Sequence, residues 1–92
     1  MKDLSDWREE IDAIDREIVA LLNRRTRCVL ELAPLKRRNK IDVLDPDRER
    51  LVHENLRGAN DGPLSPEAVD RVFEEIMAAM REIQSAGVES SS

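Results

Sequence analysis

Five polar residues interrupt stretches that otherwise read as apolar helix faces. Arg25 stands in the row Leu4, Ile11, Ile18, Arg25, Leu32, beside a second row of Trp7, Ile14, Leu21, Cys28 and Leu35. Steps alternating three and four are the seam of a helix packed lengthwise on other helices, where an aliphatic residue is expected. An unpaired buried charge costs several kcal/mol, so Arg25 needs an anion, supplied by the protein or by a ligand. Eleven residues later Lys36 returns to within roughly 20° of Arg25, roughly 16 Å along the axis. Gln84 falls in an apolar stripe with Phe73, Met77 and Met80, and Asp45, Arg48 and Glu49 gather in the first turn of another helix. A structural salt-bridge net, Arg25 and Lys36 against Glu49 and Asp45, would explain any one of these residues. Arg25, Lys36, Arg48, Glu49 and Gln84 together carry more fixed charge than a fold requires, which favours an anion pocket.

Three helices must position these groups. The first opens near Ser5 or Asp6, with Glu9 at capping-box spacing from Asp6, and runs to about Asn39. Its length is roughly 50 Å. Pro34 removes one backbone hydrogen bond and crowds the preceding turn, so a bend or an early stop is expected there. Asp45-Pro46 is a cap followed by a first-turn proline and opens a second helix through Asp47–Arg57, stopping at Gly58. After the turn-rich loop GANDGPLS, Ser65-Pro66 repeats the device. The third helix carries Val69, Val72, Phe73, Ile76, Met77, Met80 and Ile83 on one face and ends near Gly87. The expectation is one all-α domain over 1–92, with an ordered core over about 4–86 and a flexible tail at 87–92. So long a seam is more than one chain covers, which predicts a symmetric homodimer with the long helices side by side. Arg8, seventeen residues before Arg25, lies roughly 25 Å away along the axis and cannot serve the same small site in one chain. In an antiparallel dimer it would approach the partner's Arg25 region.

Composition narrows the classes. The chain has 92 residues, 38% charged and 40% hydrophobic with 2% aromatic, which suits a helical bundle rather than a β-sandwich. A net charge of −5 argues against general affinity for nucleic acid or anionic membranes. The basic run Arg24, Arg25, Arg27, Lys36, Arg37, Arg38 and Lys40 lacks stacking aromatics and reads as a solvated face. The single cysteine excludes an internal disulfide and suits a reducing compartment. The N-terminus MKDLSDWREE is too polar and acidic for a signal peptide, and no apolar run is long enough to span a bilayer. These features predict a soluble cytoplasmic protein. His53 has no Cys, His or carboxylate at ligand spacing, so no metal site is expected, and no phosphate loop or nucleophile–base pair is readable.

The string Arg8-Glu9-Glu10-Ile11-Asp12, then Ile14-Asp15, Leu21-Leu22, Arg24-Arg25, Lys36 and Asp45-Pro46-Asp47-Arg48-Glu49-Arg50, resembles the all-helical chorismate mutases. Asn60-Asp61-Gly62-Pro63 and Val72-Phe73-Glu74-Glu75-Ile76-Met77 extend the likeness over about residues 4–84. The resemblance implies an intertwined homodimer of three-helix chains that isomerises chorismate to prephenate, on the route to phenylalanine and tyrosine, without a cofactor. It implies that Arg25 grips one carboxylate and Arg8 of the partner chain the other. Lys36 and Gln84 would donate to the ether oxygen, Glu49 and the Asp45 region would hold the ring hydroxyl, and Arg48 would support the pocket electrostatically. Two departures stand out: Met80 where the family often has a small hydroxyl residue, and Pro34 so close to Lys36. Rival readings are an isochorismate pyruvate lyase-like enzyme of the same fold and a non-catalytic helical regulatory module. The intact Asp45/Arg48/Glu49 block favours the mutase.

Overall fold

A computed structural model describes residues 1–90, with side chains to Ala86. Within them lie three helices: α1 (Leu4–Arg38), α2 (Pro46–Ala59) and α3 (Pro66–Ser90). The cap of α1 lies earlier than expected. Asp3 accepts from the Asp6 amide at 2.9 Å and Asp6 reaches back to the Asp3 amide at 3.1 Å, a reciprocal pair that satisfies two otherwise orphaned donors. Ser5 and Asp6 therefore sit inside the first turn. The helix does not stop at Pro34 but continues to Arg38, where Lys36, Arg37 and Arg38 complement the negative end of the helix dipole.

The end of α1 is a Schellman motif built without glycine. The Ile41 amide donates to the Lys36 carbonyl at 2.8 Å and the Lys40 amide to the Arg37 carbonyl at 3.2 Å, with Lys40 at φ +58°. That conformation costs an L-residue about 1–2 kcal/mol. It turns the chain back so that residues 41–45 lie beside the last turn of α1.

Asp45 caps α2, its carboxylate accepting from the Arg48 amide at 3.3 Å, and Pro46 fills the first helical position. The helix runs through Gly58 to Ala59 with Asn60 as its C-cap, slightly beyond the expected stop. Ser65 caps α3 through the Ala68 amide at 3.1 Å. That helix runs to Ser90 rather than ending near Gly87. Residues 91 and 92 of the expected tail lie outside the described residues.

The third helix is the hub: α1 and α2 each pack against it. Met77 and Met80 of α3 and Ala33 of α1 are buried, whereas Val72 is exposed. The face that α1 gives to this core is Leu22, Thr26, Val29, Ala33 and Lys36, which are buried or half-buried. The heptad seam itself stays wet. Trp7 is 52% exposed and Leu21 60%, and Leu4, Ile11, Ile14, Ile18, Leu32 and Leu35 are exposed with them. The chain is correspondingly extended, 56 Å along its longest axis with a radius of gyration of 16.5 Å, where a compact chain of this length has about 12 Å.

Candidate active site

The three helices and the 39–45 turn enclose a cleft of about 260 Å³. From α1 it receives Arg25 and Lys36 with Val29 and Leu32 between them, the spacing of one helix face. The turn adds Val43 and Asp45, and α2 adds Arg48, Glu49 and Val52 from its first two turns. Met77, Met80, Arg81 and Gln84 close it from α3. Six of the seven residues expected at a site therefore line one cleft. Arg8 does not. It is exposed at the far end of α1, and nothing within the protomer carries it to Arg25.

Lys36 is held from two sides. Its ammonium donates to the Val43 carbonyl at 3.1 Å and to Gln84 Oε1 at 3.5 Å. Gln84 is 6% exposed and its Nε2 donates to the Met80 carbonyl at 3.2 Å, so the amide is fixed at both ends and keeps one N–H to offer. Glu49 accepts from Arg81 Nη1 at 2.6 Å. Among the described residues Arg25, Lys36 and Arg48 form no ion pair with a carboxylate. The structural net of Arg25 and Lys36 against Glu49 and Asp45 is thus absent. Four cations face two carboxylates in the cleft of a chain whose net charge is −5. Such a site suits a small anion that brings more than one acceptor group.

Pro34 does not rotate Lys36 away from Arg25, since both side chains open into the same cleft. Met80 is buried in its wall, its sulfur 3.4 Å from the Thr26 hydroxyl, which also donates to the Leu22 carbonyl. Arg81 is a site residue that sequence reasoning misses. The signal that could find it is its place three residues before Gln84 and four after Met77, on the same helical face.

A second polar cluster joins α2 to α3 outside the cleft. His53 Nδ1 lies 2.9 Å from Asp70 and Nε2 lies 2.7 Å from Glu74, while Arg57 grips the other Asp70 oxygen at 2.7 Å. Local spacing does not reveal these partners, because Asp70 and Glu74 belong to another helix, while Glu49, four residues before His53, pairs with Arg81 instead. Two acceptors on the two ring nitrogens favour the imidazolium. The Glu74 hydrogen bond, followed by Asp70, raises the His53 pKa above its usual 6.5 against the opposing effect of burial. Arg57 in turn holds Asp70 below the usual carboxylate range. The hollow beside this cluster is flanked by Glu54, Asp70 and Glu74 and lacks the cationic excess of the cleft. Among the described residues no three metal-ligating side chains converge as a metal site, and no helix is long and apolar enough to cross a membrane.

Comparison with known proteins gives one consistent likeness. A profile of the family described as chorismate mutase type II matches residues 7–85. The chain is 32% identical over 83 residues to a bifunctional chorismate mutase/prephenate dehydratase of Aquifex aeolicus, covering 86% of this chain and 23% of that protein. It is 32% identical over 54 residues to a chorismate mutase of Methanocaldococcus jannaschii, covering 59% of this chain and 54% of that one. The chain thus spans under a quarter of the Aquifex protein and about half of the Methanocaldococcus one. Form II of the chorismate mutase from Thermus thermophilus superposes with a TM-score of 0.86 at 31% identity, covering 91% of this chain and 96% of that chain.

Proposed function

We propose that this chain, which belongs to the chorismate mutase type II family, isomerises chorismate to prephenate in the synthesis of phenylalanine and tyrosine. The reaction is pericyclic. One C–O bond breaks as one C–C bond forms within a single molecule, so no nucleophile, cofactor or external proton is required by its stoichiometry. What a protein supplies is the compact conformer of a flexible dianion and donors at the ether oxygen, where negative charge develops. The observation that carries the reading is the pairing of Lys36 and Gln84 from different helices, beside two guanidinium groups, Arg25 and Arg48, with no carboxylate partner among the described residues. Arg25 takes one substrate carboxylate, Lys36 and Gln84 serve the ether oxygen, and Lys36 also meets a carboxylate. Arg48 adds positive potential. Glu49 and the Asp45 region receive the ring hydroxyl, with one Asp45 oxygen already engaged in capping α2.

The second substrate carboxylate is assigned to Arg8 of a partner chain in a homodimer. Support comes from the exposed heptad seam, from the extended protomer, and from the exposure of Arg8 at the opposite end of α1. The lone, exposed Cys28 supports a reducing compartment, the cytoplasm. The test is incubation with chorismate and, separately, with isochorismate, following the loss of each and identifying the product. Prephenate establishes the mutase. Pyruvate released from isochorismate instead would assign the lyase, and no turnover of either would leave a non-catalytic module.

A further inference from the structure

We propose that Arg81 is a positioning residue that keeps Glu49 off the cationic groups of the cleft and aims its free oxygen at the substrate hydroxyl; this rests on the mutase reading above. Glu49 is the carboxylate best placed to spoil the site. It lies one helical position from Arg48 and lines the same 260 Å³ cleft as Lys36 and Arg25. Left unpaired, it would be drawn onto one of them, neutralise a group needed for the dianion, and repel the incoming carboxylates. Arg81 removes that option, its Nη1 holding Glu49 Oε2 at 2.6 Å in a part-buried pair whose side chains are 29% and 21% exposed. The consequence is visible beside it: Lys36 turns to Val43 and Gln84, and Arg48 has no carboxylate partner among the described residues. Glu49 Oε1 accepts no hydrogen bond from the described residues and remains open to a donor such as a ring hydroxyl. Arg81 projects from α3 one turn before Gln84, so a single rigid helix sets both the ether-oxygen amide and the clamp on Glu49.

The test is a double-mutant cycle on chorismate turnover in the full chain, using Arg81→Ala, Arg81→Lys, Glu49→Gln and the double variant Arg81→Ala/Glu49→Gln. Removing a charge-assisted partner should lower kcat/KM about tenfold or more in Arg81→Ala, with kcat falling as well as KM rising. Only one guanidinium nitrogen makes the contact, so Arg81→Lys should recover most of the loss. In the Glu49→Gln background, where no charge is left to restrain, removing Arg81 should cost less than about twofold. Equal losses in both backgrounds would overturn the proposal, as would Arg81→Lys being as poor as Arg81→Ala. Should Arg81→Ala fail to fold, Arg81→Met, which keeps much of the aliphatic stem, takes its place in the cycle. A wild-type chain without chorismate turnover overturns the mutase reading itself, whereas an active wild type with an additive cycle overturns the role of Arg81 alone.

Discussion

Gln84 turns its carbonyl oxygen to the Lys36 ammonium at 3.5 Å and its amide nitrogen to the Met80 carbonyl at 3.2 Å. Lysine can only donate, so this orientation follows from the pair itself and leaves one amide N–H directed by two fixed contacts. Donors that act on developing charge affect the chemical step more than binding. Lys36→Ala should lower kcat more than it raises KM, by on the order of a hundredfold. Gln84→Glu places a carboxylate against both Lys36 and the developing charge, so activity should survive mainly at acidic pH. A flat pH–rate profile for that variant from acid to neutral would remove Gln84 from the ether oxygen.

Arg25 is half-buried and has no carboxylate partner among the described residues. Arg25→Leu therefore strands no buried anion and completes an apolar row. The melting temperature without ligand should be kept or raised, since well-packed apolar replacements of part-buried ions are often neutral or stabilising. Turnover should fall steeply. A loss of a few kcal/mol in a denaturant melt would show that Arg25 is structural after all.

Cross-chain sharing of the site has a direct test. Arg8→Ala and Arg25→Ala are each expected to be nearly inactive as homodimers. Mixed and allowed to exchange, they should form heterodimers in which one of two symmetric sites has both arginines intact, restoring about a quarter of wild-type activity at random pairing. Proven subunit exchange without recovery would rule out the Arg8 assignment. Sedimentation equilibrium at micromolar protein should give a dimer, and a stable folded monomer would sink that expectation.

The His53 cluster predicts how stability depends on pH. The folded pKa of His53 lies above its unfolded value near 6.5, chiefly through Glu74 and then Asp70. Its contribution is therefore complete below about pH 6.5 and is lost as pH rises through the raised folded value. Asp70 behaves in the opposite sense: held low first by Arg57, it contributes above its unfolded value near 3.8 and fails as pH falls through its depressed one. Urea midpoints should decline from mildly acidic to alkaline pH in the wild type and much less in His53→Gln. Equal slopes for the two proteins would remove His53 as the group responsible.

Much of the site is legible in the sequence because helices are local objects. Asp45-Pro46 and Ser65-Pro66 fix where α2 and α3 begin through hydrogen bonds within three residues, and a rotation of about 100° per residue places Arg25 and Lys36 on one face. The cap of α1 sits about one turn earlier than spacing suggests, because Asp3 and Asp6 form the reciprocal pair that Asp6 and Glu9 offer equally well. Which face of α1 meets its own chain is beyond local rules. The heptad rows are the strongest apolar signal, yet α3 packs on Leu22, Thr26, Val29 and Ala33 and leaves those rows exposed. Glu49 taking Arg81 rather than Arg25 or Lys36, and His53 finding Asp70 and Glu74, are likewise decided by tertiary structure. Sequence spacing sets angles and rises within one helix. Partners on different helices are chosen by how the helices cross and how far each is shifted along its neighbour, and those two quantities exist only once all three pack together.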